Sequence, residues 1–393
     1  MKMILSLLLA IMAVNAQAKS VEIMSYNVEN LFDATHDEGK IDWSFLPKDA
    51  PGKKEACAKE KSKYRRQECY DSDWTDEKVE IKLSQIVDVV TKERAGTPDF
   101  LGLVEVENPN VVGRLAKKLG YENMEMTDSP DNRGVDVALL YKTSPDIKKI
   151  SRAEHHVPVD YPSRNILEVE FTVGGQPLTI FVNHWPSLAN PDSWRVKAAE
   201  VLATRVKEIL AKNPNMGIIA MGDFNTIDEN NPHPFKTVLY KDNLFSDLAD
   251  TFKADKSISD DVKKKLPEGT YYYPPKNQWN MLDHIFFTSA LKDGKDLEID
   301  VASFEIYLPK FALKEVRKGL GSEDEKDVKT FMVPNRFDTS AKTKEKMGFS
   351  DHFAVVVKLN YPEPAPVKEE KKVEKKVEKK VEKKADKKKA KKK

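Results

Sequence analysis

Six short polar signatures stand along the chain in one order: Asn27 in SYNVENLF, Glu105 in LVEVEN, His184 in NHWPS, Asp223 and Asn225 in MGDFN, Asp283 in MLDHIFF, and Asp351-His352 in FSDHFAV. Each lies at or just after an apolar run that reads as a buried strand. Acids, amides and imidazoles are costly in a core without partners. Gathered at strand ends, they suit a metal ion and a phosphate. A hard divalent cation takes oxygen ligands. Glu105 offers a carboxylate, Asn27 an amide oxygen and Asp351 a second carboxylate. Asp223 and Asn225 stand two apart, hence on one side of an extended segment. One can orient or deprotonate water while the other holds the water or a phosphoryl oxygen. His184 and His352 can move a proton near neutral pH or, as cations, donate to a non-bridging oxygen. These roles describe phosphodiester hydrolysis without a covalent intermediate.

Each signature alone has a plainer reading. Asn27 could form a turn, Glu105 could be an exposed strand end, and Gly222 to Asn225 could be a β-turn. All six in one order favour the chemical reading. Arg133, in DNRGVDVALLY, suits bidentate contact with phosphate, with an ordinary salt bridge as the alternative. Asn183 is a candidate for substrate phosphate. Trp185 and Trp279 could stack bases, but packing is preferred. Glu107 rivals Glu105 on the same strand face, and His284 reads as packing on the face opposite Asp283. His155 and His156 read as loop residues.

The elements that must position these groups read as follows. Val21 to Tyr26, Phe100 to Val104, Val135 to Tyr141, Gly217 to Met221, Ile285 to Phe287, Ala302 to Tyr307 and Phe353 to Val357 form apolar strands. Ile166 to Val173 and Leu178 to Val182 flank Gly174-Gly175 as a hairpin. Asp76 to Arg94 places Val79, Leu83, Ile86, Val87 and Val90 on one helical face. Val111 to Leu119 and Pro191 to Lys212 read as further helices. Strands, helices and hairpins without strict βαβ alternation imply a mixed α/β domain.

The six signatures together resemble those of the endonuclease/exonuclease/phosphatase superfamily, the DNase I-like fold. The NHWPS, RGVDVALLY and WNMLDHIFF segments resemble its secreted bacterial nuclease branch. The resemblance spans roughly residues 20 to 360. It implies an α/β four-layer sandwich, two mixed β-sheets packed face to face with helices outside, and a site at one end. It implies Glu105 as the principal Mg²⁺ ligand, with Asn27 and Asp351 close by; Mn²⁺ or Ca²⁺ are the alternatives. It implies His184 and His352 as paired catalytic histidines, with Asp283 orienting His352. A partner for His184 is expected but cannot be named from the sequence.

The ends of the chain carry further signals. Met-Lys-Met, an apolar run from Ile4 to Val14 and Ala16-Gln17-Ala18 read as a cleaved signal peptide over residues 1–18. The run is too short to span a bilayer. A secreted or periplasmic location makes Cys57 and Cys69, the only cysteines, an expected disulfide. The net charge of +1 conceals an asymmetry. Val367 to Lys393 holds 15 Lys against 6 acids, which leaves the rest acidic. Residues 362–393, Pro-rich and then Lys-rich with a VEKK repeat, read as a disordered tail able to bind polyanions.

The expected activity is a secreted endonuclease, acting on DNA before RNA, as a monomer. The alternative is a sphingomyelinase-like phospholipase or a small-molecule phosphodiesterase. A lipid enzyme needs an apolar docking hairpin, for which Thr270 to Pro275 is the best candidate. A catalytically dead binding module would have lost a ligand or a histidine, and every motif position is filled. An inositol-phosphate phosphatase would be expected to carry Trp-Cys-Asp-Arg where Asn280-Met281-Leu282-Asp283 stands.

Overall fold

The computed structural model describes residues 19–319, 328–341 and 343–362. The expected signal peptide and Lys-rich tail lie outside the described residues. In chain order the strands are β1 (Lys19–Leu31), β2 (Phe100–Val106), β3 (Asn123–Met126), β4 (Asp136–Tyr141), β5 (Ile147–His155), β6 (Ile166–Val173), β7 (Gln176–His184) and β8 (Gly217–Asp223). There follow β9 (Ser246–Asp247), β10 (Tyr271–Tyr273), β11 (Gln278–Asn280), β12 (Asp283–Phe287), β13 (Glu298–Tyr307), β14 (Leu313–Gly319), β15 (Val328–Pro334) and β16 (Ala354–Tyr361). The helices are α1 (Lys53–Ala58), α2 (Lys63–Asp71), α3 (Asp76–Thr91), α4 (Pro109–Leu119), α5 (Asp192–Lys212), α6 (Leu248–Ala254) and α7 (Asp260–Lys263).

Two six-stranded sheets result, in the orders β13-β16-β1-β2-β4-β3 and β5-β6-β7-β8-β12-β9. β1 pairs with β2, and β7 with β8, in parallel; the other pairs are antiparallel. The sheets pack face to face through Ile23, Val104, Val182, Met221, Ile285 and Val355. α3 and α4 cover the outer face of the first sheet, against Met24, Tyr26, Leu101 and Leu103. α5 covers the second, against Phe181, Ile218 and Ala220. Strands buried on both faces read as continuous apolar runs, which is why the sequence shows them so clearly. The expected four-layer sandwich is the observed fold.

Helix ends follow their local chemistry. Thr75 caps α3 through the Lys78 N–H, and Asp76 and Glu77 occupy its positive first turn. Asn108 caps α4, Pro109 opens it, and Gly120 closes it at φ 78°.

The hydrophilic stretch between Ala34 and Asp73 is more ordered than its composition suggests. Phe45 stacks on Phe32 at 3.9 Å and meets Trp74 edge-on. Buried Lys53 ties the segment together, donating to Leu46 O and to Ser72 O and Oγ at 2.7 to 2.9 Å. The Cys57–Cys69 disulfide joins α1 to α2, as expected. The hairpin β10–β11 was not readable from periodicity, because strands of three residues carry little alternation; the hairpin β14–β15, with seven residues in each strand, is a further addition to the expected elements.

Candidate active site

Four of the six signatures are placed by simple alternation. On β7, residues Leu178, Ile180 and Val182 face the opposite sheet, so His184 does too. On β8, Ile219 and Met221 lead to Asp223; on β12, Ile285 and Phe287 share their face with Asp283. On β1, Ile23 faces inward, and so does Asn27 four residues later. The inward faces run out of apolar residues at the same end of the sandwich, and the polar groups meet there. In register, His184 and Asp283 both sit opposite Asp223.

Glu105 arrives differently. Alternation from Leu101 and Leu103 would aim it at the helix layer. Its φ of 64°, with a register shift between Val104 and Val106, breaks the alternation. Val106 takes the helix-facing place and Glu105 turns into the site. A carboxylate residue in the left-handed region stores strain of about 1–3 kcal/mol. Glu29 and Asn30 repeat the device in β1, at φ 54° and 59°. Glu107 is not among the groups that cluster with Glu105. It accepts the Asp33 N–H at 2.8 Å, away from the site.

Gly222 lets the site close. A Cβ there would lie 2.0 Å from Asn183 O, and its φ is 134°. Only glycine allows this approach of β7 and β8 next to Asp223.

Asn27 is fully buried, and its Nδ2 donates to Glu105 Oε1 at 3.3 Å and Asp223 Oδ2 at 3.1 Å. Its oxygen accepts the Glu29 N–H at 3.0 Å. The amide thus presents nitrogen, not the expected ligand oxygen, because the bent backbone has already taken the oxygen. Asn27 holds the two carboxylates together. His184 Nε2 lies 3.8 Å from Glu105 and 4.0 Å from Asp223. Its Nδ1 is buried with no partner among the described residues, so the expected orienting group is not found among them. Burial, with Arg164 and Arg133 nearby, holds His184 well below the usual imidazole range.

His352 is the opposite case. Burial alone would lower its pKa, but its Nδ1 bonds Asp283 Oδ2 at 2.7 Å. That carboxylate, with Asp351 and Asp223, prevails and keeps the ring cationic. The Asp283–His352 pairing is as expected. Asp223 is pushed up to about 7 by burial, eased by His352 and reinforced by Asp283 and Glu105.

Other candidates fall into place less uniformly. Asn225 leaves the extended conformation at φ 45°; its N–H bonds Asp223 Oδ1 at 2.8 Å and its Nδ2 bonds Trp185 O. It fixes Asp223 rather than standing beside it. Asp351 lies 3.8 Å from His352 Nε2 and 3.8 Å from Arg336, outside the cluster formed by Glu105, His184 and Asp223. Arg133 stands half-exposed at the rim, with its Nε 3.7 Å from Asp131.

Asn183 does not face the site. Alternation sends it toward the α5 side, where it bonds Met221 O and accepts the Trp185 N–H. Both of its polar groups are committed, so it has none for phosphate. Trp185 packs on Phe224, and Trp279 lies over Phe353. His284 pairs with Asp247 at 2.6 Å, as a packed residue. His155 ends β5 and pairs with Glu168, rather than lying in a loop.

Sequence reasoning missed three cations around the site. Arg164 is buried and donates to Trp185 O at 2.5 Å. Lys82 is fully buried and donates to Phe349 O at 2.7 Å, two residues before Asp351. Arg336 pairs with buried Glu29. Only Lys82 left a trace, as a charge among the apolar positions of α3.

A sequence model described as the endonuclease/exonuclease/phosphatase family matches residues 22–361. The chain belongs to the endonuclease/exonuclease/phosphatase family. Solved structures are similar to the chain at low identity. A humanized D. rerio TDP2 carrying 14 mutations is 16% identical, covers 87% of this chain and 99% of its own, and has a TM-score of 0.50. An endonuclease/exonuclease/phosphatase family protein from Bacteroides thetaiotaomicron is 15% identical, with coverages of 88% and 96% and a TM-score of 0.49. The human Nocturnin catalytic domain with bound sulfate is 14% identical, with coverages of 87% and 94% and a TM-score of 0.46. Compared with curated protein sequences, the chain has no match.

The family is one of phosphoester hydrolases that use a divalent cation, and the residues fit one. Glu105, His184 and Asp223 each offer a ligand atom, all within 4.8 Å of one another. Asp223 is crowded by Glu105 and Asp283, and positive charge at that point would relieve it. Glu105 would hold the ion, with Asp223 beside it. When bound, it would neutralise charge developing on the phosphate.

Proposed function

We propose that this chain is an Mg²⁺-dependent phosphodiesterase that hydrolyses nucleic acid, with DNA as its first substrate, in a secreted or periplasmic setting. The observation that carries the reading is the division of labour between the two histidines around Asp223. His352, kept protonated by Asp283, is free at Nε2 to donate to a non-bridging oxygen. Asp223, held by Asn27 Nδ2 and the Asn225 N–H, stands ready to accept a proton from water. Neutral His184 lines the other wall.

The lipid reading has a small docking element: Tyr272 packs against Trp279 and Phe331 and the Tyr271 ring lies 5.0 Å from His352, which leaves Tyr273, Pro274 and Pro275 as the exposed part of the candidate hairpin. The A-x-A segment and the Cys57–Cys69 pair support export. Among the described residues no helix is long and apolar enough to cross a membrane.

The test is supercoiled plasmid with the protein from residue 19 onward. With Mg²⁺, nicked and linear forms should appear. They should vanish with EDTA and fall by about 10²- to 10⁴-fold in Asp223→Ala. Intact plasmid in Mg²⁺, Mn²⁺ and Ca²⁺ would overturn the endonuclease reading.

A further inference from the structure

Arg336 follows β15 and stands on the His352 side of the site. Its Nε bonds Glu29, whose other oxygen accepts the Phe337 N–H at 2.9 Å. Its Nη2 lies 3.8 Å from Asp351, too far for a hydrogen bond. A guanidinium has five N–H donors, and one is used here in a direct bond. The side chain is 68% exposed although its partner Glu29 is buried. One edge is therefore anchored and the other faces solvent. The anchor is tied to the site itself, because the Glu29 N–H holds the oxygen of Asn27, and Asn27 holds Glu105 and Asp223. Lys82, buried behind Glu29, adds charge that keeps this corner in place.

The His184 side has its own exposed guanidinium, Arg133, whose partner Asp131 is likewise buried. His184 and His352 mark the place of the phosphate to be cut. Each side of that place thus carries one arginine whose partner is buried and most of whose donors have no bond among the described residues.

We propose that Arg336 binds the phosphate next to the scissile one, on the side opposite Arg133, so that the site takes a chain of phosphodiesters rather than an isolated one. This rests on the phosphodiesterase reading above and narrows it to a nucleic-acid strand cut at internal bonds. A single phosphodiester, such as a lipid headgroup, would offer neither outer arginine a phosphate. The forked guanidinium suits a phosphate oxygen pair better than a point charge does.

The experiment uses DNA tetramers, with the rate read at the central bond. Either flanking linkage is native or replaced by a neutral methylphosphonate. In the wild type, neutralising one particular flank should lower kcat/KM about tenfold or more. Arg336→Gln should lower it similarly on the native tetramer, mainly through KM, and should add nothing once that flank is neutral. Arg133→Gln should show the same relation with the other flank. Arg336→Lys should fall between, keeping charge but losing the fork.

Losses that multiply on both flanks would overturn the proposal and make Arg336 a support for Asp351 only. So would an unchanged rate in Arg336→Gln. The flank effect is read first in the wild type, and a variant whose thermal melting matches the wild type is used for the comparison, so that a misfolded protein does not imitate either result. A chain that hydrolyses bis(p-nitrophenyl) phosphate but no tetramer would overturn this inference and leave the phosphodiesterase reading standing. Hydrolysis of neither would overturn both.

Discussion

Two histidines that look alike in sequence behave oppositely in the fold. His352 is buried with a carboxylate at 2.7 Å and stays protonated; His184 is buried with Nδ1 unpartnered and stays neutral. Asp283→Asn should let burial win at His352. The proton should then be lost at neutral pH, and hydrolysis should fall by about 10²- to 10⁴-fold. Activity remaining in the variant should recover as pH is lowered, since His352 regains its proton there. Parallel pH–rate profiles for variant and wild type would remove His352 from its role as cation. The pairing was legible, because Asp283 and His352 stand in motifs. The unpartnered state of His184 was not, because it depends on what surrounds the ring.

At the scale of elements, the site is where alternation meets its exceptions. Asn27, His184, Asp223 and Asp283 follow the inward period of their strands. The bulge at Glu105 is an exception that no pattern of side chains announces. Gly222 is another irregular position, and its test is direct. Gly222→Ala would drive a Cβ into the Asn183 carbonyl and impose a φ of 134° on an L side chain. We expect a loss of several degrees in Tm and little active protein, read by thermal melting. A variant as stable as the wild type would show that β7 and β8 can separate at this end without harm. Asn183 was misread for a related reason. It adjoins His184 in sequence, but successive residues of a strand face opposite ways.

At the scale of the whole molecule, the lobe from Ala34 to Asp73 and the loop after β2 bring acids together beside the first sheet. Glu107 is pushed up to about 9, by burial first and then by Asp33, Asp37 and Asp42. A folded-state value raised above the unfolded one, near 4.5, means stability that is full below that value. It is lost as pH climbs from there toward 9. Glu107→Gln should therefore narrow the drop in Tm between pH 5 and pH 8.5. Identical drops in the two proteins would show that Glu107 titrates normally. The lobe itself escaped composition-based reading because its order comes from few contacts: the Phe32–Phe45 stack, Lys53 and one disulfide.

The sequence alone determined which groups could act and in what order they occur. Buried strands demand apolar runs, so acids and imidazoles at the run ends stand out against them. That contrast marked out the motifs that resemble the family, and the two-sheet sandwich and the Asp283–His352 pair were what the resemblance implied. Tertiary structure alone decided which of these groups meet. Asn27 and Asp223 are 196 residues apart, yet 3.1 Å separates Nδ2 from Oδ2. It also decided their charge states, since burial and neighbours outweigh residue type. Arg164, Lys82 and Arg336 became part of the site only through folding, because a cation outside a motif looks in sequence like any solvated charge.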